Sequence, residues 1–74
     1  MGEFTLGAME SRFADMIWAR EPVSSTELVK LAAQELDWKK STTYTVLKRL
    51  SERGLFVNDG GTVRALISRS DYYA

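Results

Sequence analysis

The 74-residue sequence predicts an α+β, mainly helical fold: three helices followed by a two-stranded β-hairpin. Two observations predict it. Apolar residues recur at spacings of three and four through most of the chain up to Arg53, the period of a helix with one buried face. After Gly54 the period shortens, and a glycine pair stands between two β-prone runs.

Leu6, Met9, Phe13, Met16 and Ile17 share one helical face and predict a first helix from about Gly7 to Arg20. Glu21-Pro22 ends it, because the residue before a proline is pushed out of the helical region. "VSSTEL" then reads as a helix start. Ser24 is the expected N-cap, with Glu27 placed to bond back, and Val23 and Leu28 occupy the two positions of a hydrophobic staple. Leu28, Leu31, Ala32 and Leu36 continue the apolar face of a second helix from about Ser25 to Leu36.

The third helix is expected from about Lys40 to Arg53, with Gly54 at the position after its C-cap, where glycine takes a left-handed conformation at little cost. On a helical wheel Thr43, Tyr44, Val46, Leu47 and Leu50 share one side. Ser41, Thr42, Thr45, Lys48, Arg49 and Glu52 share the other. "LFV", the turn "NDGG" and "TVRALIS" predict the hairpin, and "RSDYYA" reads as a further helical start capped by Ser70 or Asp71. Three helices and a hairpin in this order make a winged helix-turn-helix. The second and third helices meet at "DWKK", and the hairpin is the wing.

The net charge is zero, but its distribution is uneven. Residues 1–37 carry three basic against seven acidic groups, a net −4. Residues 38–53 carry Lys39, Lys40, Lys48, Arg49 and Arg53 against Glu52, a net +4, and residues 54–74 are balanced. With no cysteine and no histidine, disulfides, thiol catalysis and the usual zinc sets are excluded, as is the ordinary general base near neutral pH. No catalytic constellation, metal site or cofactor motif is found. No apolar run approaches the roughly 20 residues that span a bilayer, and "MGEFTLGAM" lacks the features of a signal peptide, so a cytoplasmic protein is expected.

"DWKKSTTYTVLKRLSERGL" resembles the penicillinase-repressor family of bacterial transcription regulators. The family pattern is a tryptophan, a short polar turn, T-[VI]-x-T-[LI]-x-x-R-L, then a glycine and an apolar residue. Thr42, Thr45, Arg49, Leu50 and Gly54 fall on matching positions. "LGAMESRFADMIW" is similar to the family's first helix, "PVSSTEL" to the start of its second, and "LISRSDYY" to the segment leading into its dimerisation helix. Two departures stand out. Thr43 replaces the usual valine or isoleucine, and the "NDGG" wing is about four residues shorter than a typical one.

The resemblance implies a winged-helix DNA-binding domain over residues 6–70. Residues 1–5 are then an N-terminal extension or cloning scar, and 71–74 the start of a truncated dimerisation segment. The full-length protein is expected to bind a palindromic operator in double-stranded DNA as a homodimer, and the present chain to be a monomer.

The expected DNA-contacting residues are Lys39, Lys40, Ser41, Thr42, Tyr44, Thr45, Lys48, Arg49 and Arg64. Lys39, Lys40, Lys48, Arg49 and Arg53 also read as a solvated helix face; the resemblance favours phosphate contact for Lys39 and Lys40. Thr42 and Thr45 offer methyls to thymine and hydroxyls to base edges or phosphates. Arg49 either pairs with Glu52 or donates to guanine or phosphate. Tyr44 reaches a phosphate from the edge of the buried stripe, and Arg64 is as well read as an exposed arginine. Trp38 and Trp18 read as packing residues. A winged-helix protein-interaction module is the competing reading, to which the acidic first half is better suited than the polar third helix.

Overall fold

The computed structural model describes residues 7–74. Four helices and three short strands run in the order α1 (Ala8–Arg20), β1 (Val23–Ser24), α2 (Ser25–Leu36), α3 (Lys40–Glu52), β2 (Phe56–Asp59), β3 (Thr62–Ala65) and α4 (Arg69–Tyr72). The winged helix-turn-helix is therefore present, with one addition. The sheet has three strands in the order β1-β3-β2, because Val23 and Ser24 pair antiparallel with Val63 and Thr62. Residues 1–5, expected to be an extension, and Leu6 lie outside the described residues.

Each helix ends for a local reason. Glu21 leaves α1 in extended geometry before Pro22. Ser24 Oγ accepts the Glu27 N–H at 3.0 Å and caps α2. The return bond expected from the Glu27 carboxylate does not form among the described residues, so half of the box is realised. Asp37 turns left-handed after α2, with φ 58°, a conformation its short polar side chain tolerates. The chain then enters α3 through Trp38, whose N–H donates to the Ala32 carbonyl at 3.2 Å. Gly54, at φ 83°, closes α3 in a Schellman motif. Its N–H donates to Ser51 O at 3.0 Å, and the Leu55 N–H donates to Leu50 O at 3.1 Å.

The hairpin loop is Gly60-Gly61, both at positive φ, between the paired residues Asp59 and Thr62. Positive φ at both loop positions matches the twist of the flanking strands. The Asn58 side-chain oxygen accepts the Gly61 N–H at 3.0 Å. At the C-terminus, α4 is capped by Ser68, whose Oγ accepts the Asp71 N–H at 3.0 Å. The expected caps Ser70 and Asp71 lie inside the helix. The cap falls earlier because Ile67 and Tyr72 pack on the core and set the helix phase.

Phe13, Ile17, Leu28, Leu50, Phe56 and Val63 form the sealed centre, drawn from every layer of the fold. Trp38 stacks at a tilt on Phe13, centroids 5.2 Å apart, and plugs the turn between α2 and α3. Thr43 is 1% exposed in the apolar stripe of α3. Its hydroxyl donates to Lys39 O at 3.1 Å, so the polar group that replaces a methyl is satisfied within its own helix.

Candidate nucleic-acid interface

Helix α3 buries Thr43, Val46, Leu47 and Leu50 against the other helices and the hairpin. The opposite face is exposed and polar: Ser41, Thr42, Thr45, Lys48 and Arg49 all lie on it, and Lys39 and Lys40 stand at its start. Apart from Tyr44, the predicted contact residues within α3 are thus brought to one side of one helix. Tyr44, assigned to the buried stripe, sits at its margin and is 37% exposed.

The start of α3 breaks an electrostatic rule. It has no side-chain cap and no acid in its first turn, whereas α1, α2 and α4 carry Glu10, Glu27 and Asp71 there. Lysines instead occupy the N-cap and first positions, beside the positive end of the helix dipole. Each such cation is adverse by about 0.3–1 kcal/mol, so the end is arranged to attract an anion at some cost to the helix.

Hydroxyl and charge partners sort the remaining residues. Thr45 Oγ1 donates to Ser41 O at 2.8 Å, which commits its proton and leaves its methyl and lone pairs available. Among the described residues Lys39, Lys40 and Lys48 enter no ion pair. Two of the predicted arginines do. Arg49 pairs with Glu10 of α1, not with Glu52 one turn along its own helix. Arg64, exposed on β3, pairs with Asp59 across the hairpin at 3.0 Å.

Among the described residues, two hollows flank the face. A notch of about 200 Å³ between α2 and α3 is lined by Thr26, Val29, Lys30, Lys40 and Tyr44. It gathers two ammonium groups and two hydroxyl-bearing side chains, chemistry suited to a phosphate oxygen. Thr26 and Lys30 were not foreseen; they stand one helical turn apart in α2, and only the crossing of α2 over α3 sets them beside Lys40. A second groove of about 550 Å³ lies between α3 and the hairpin, with Tyr44, Lys48, Phe56 and Val57 along it and Leu66, 61% exposed, on its rim. Ser51 Oγ also lines it and has no hydrogen-bond partner among the described residues.

Among the described residues no cluster of three or more carboxylates is placed to hold a metal ion, and no helix is long and apolar enough to cross a membrane. Comparison with known families matches residues 6–74 to the family described as penicillinase repressor. Neither the curated proteins nor the solved structures give a match.

Proposed function

This chain belongs to the penicillinase repressor family of DNA-binding transcription regulators, and from that membership we propose that α3 is a recognition helix seated in the major groove of an operator half-site. Lys39, Lys40 and Lys48 meet phosphates; Ser41, Thr42 and Thr45 face base edges; Tyr44 reaches a phosphate through its hydroxyl. Arg49 and Arg64 approach DNA with carboxylate partners already in place.

The observation that carries this reading is the start of α3, where the positive helix end coincides with two lysines that enter no ion pair among the described residues, and where the first turn holds no acid. A solvated surface gains nothing from that arrangement, whereas a phosphodiester backbone does. The core behind α3 supplies the rigidity, since Leu47 and Leu50 lock the helix phase. A palindromic operator follows if two copies of the protein bind as a dimer, one α3 to each half-site. Such a regulator works in the cytoplasm, alongside the DNA.

Selection from random duplexes, followed by titration over a range of salt, tests the reading. Enrichment of one half-site motif, with affinity falling steeply as salt rises, is the expected result. Affinity for no duplex at low salt, or backbone shifts confined to α1, would overturn it in favour of a protein-interaction module.

A further inference from the structure

Arg49 belongs to the polar side of α3, yet its guanidinium is held by the Glu10 carboxylate of α1. The carboxylate is itself anchored. Its second oxygen accepts the Gly7 N–H at 3.4 Å, and the helix that carries it buries Phe13, Ala14 and Ile17 in the core. The Glu10 side chain is 22% exposed against 50% for Arg49, so the acid is the fixed partner and the arginine the movable one. On a helical wheel Arg49 lies roughly 70° from the direction opposite the buried stripe of Thr43, Val46, Leu47 and Leu50, where Ser41 and Glu52 point. The pair therefore sits on the rim of the proposed DNA surface, on its α1 side.

We propose that Glu10 is a positioning residue that sets the specificity of DNA binding by restraining Arg49. An unrestrained arginine at the rim donates to whichever phosphate is near, a contact of equal worth on every sequence. Held by Glu10, the guanidinium gives up its carboxylate only for a partner that replaces it fully. Sequence-independent affinity is lowered, and the margin between operator and random DNA widens. The proposal rests on the DNA-binding reading above.

Four proteins test it: wild type, Glu10→Gln, Arg49→Gln and the double variant, each titrated against a random duplex and the selected operator across salt. Glutamine keeps an acceptor for the Gly7 N–H, and a thermal melt confirms the fold. Glu10→Gln should bind random duplex more tightly. Its plot of log affinity against log salt should steepen by roughly 0.9, the increment for one more phosphate contact. Over a fourfold rise in salt that is about a threefold larger loss of affinity. Arg49→Gln alone should leave the slope on random DNA unchanged, and the double variant should return to the wild-type slope. Equal slopes for wild type and Glu10→Gln would overturn the proposal. So would a steepened slope that persists in the double variant, because Glu10 would then act through the general field and not through Arg49. Wild type without affinity for any duplex would remove the DNA-binding reading, and this proposal with it.

Discussion

The indole N–H of Trp18 donates to the carbonyl oxygen of Ile67 at 2.9 Å, linking two residues 49 positions apart. The bond fastens α1 to the segment that leaves the hairpin. The same ring lies 5.2 Å from Phe56 and 5.7 Å from Tyr72, centroid to centroid. Around it Arg69 Nε donates to Asp15 at 2.8 Å, which holds the guanidinium pKa above its ordinary value. The Ser11 and Tyr73 hydroxyls meet at 2.9 Å. Hairpin and α4 are thereby docked on the helical layer by side chains as well as by the core.

Trp18→Phe keeps an aromatic ring but leaves the Ile67 carbonyl without its donor. A loss of about 1–2 kcal/mol is expected in urea denaturation, within the range for an orphaned, partly buried acceptor. Amide exchange should quicken in α4 before it does in α2. An unchanged midpoint would mean that water replaces the indole at no cost.

Leu50→Ala should destabilise far more, by roughly 2–5 kcal/mol, because Leu50 is wholly buried and a truncated core side chain leaves a cavity. That is comparable with the whole stability of a domain this small. A shift in melting temperature of only a degree or two would contradict the packing of α3 against the first two helices.

These two residues also mark what was legible beforehand. Leu50 was readable because helix periodicity is local: Val46, Leu47 and Leu50 declare one face without reference to anything else in the chain. Ser24 and Gly54 were readable for the same reason, since caps and left-handed turns depend on a few neighbouring residues. The bond from Trp18 to Ile67 was not, nor was the pairing of Val23 with Val63, which makes the sheet three-stranded. Both join residues at least 40 positions apart, and a two-residue strand has no periodicity of its own. The candidate site divides along the same line. The polar face of α3 was visible on the wheel, but the pairing of Arg49 with Glu10 and not with the nearby Glu52 depends on where the tertiary fold sets the start of α1.

Lys48→Ala should weaken binding to operator and to random duplex by the same factor and lower the salt slope by about one, the signature of a phosphate contact. Thr45→Val should behave differently. The Thr45 proton is committed to Ser41 O and its methyl is retained in valine. If the methyl reads thymine, the selected motif survives and the salt slope does not change. A motif altered by Thr45→Val would show that the hydroxyl oxygen is what meets the base.

The last prediction concerns Lys30, which lies on α2 and outside the basic run of residues 38–53. It shares a notch with Lys40, Thr26 and Tyr44, so a phosphate seated there meets cations from both helices of the helix-turn-helix. Two helices gripping one phosphate fix register as well as affinity, because the contact forms only at one placement of the domain on the duplex. Lys30→Gln should therefore lower affinity for all duplexes and reduce the salt slope by about one, as Lys40→Gln does. Tyr44→Phe should cost less, removing a neutral hydroxyl from a site that keeps both charges. Because Lys30 is exposed, its replacement should leave the melting temperature within a degree of wild type, so a weakened complex could not be blamed on unfolding. A Lys30→Gln protein with wild-type affinity and salt slope, beside a weakened Lys40→Gln protein, would place the backbone against the start of α3 alone and take α2 out of the interface.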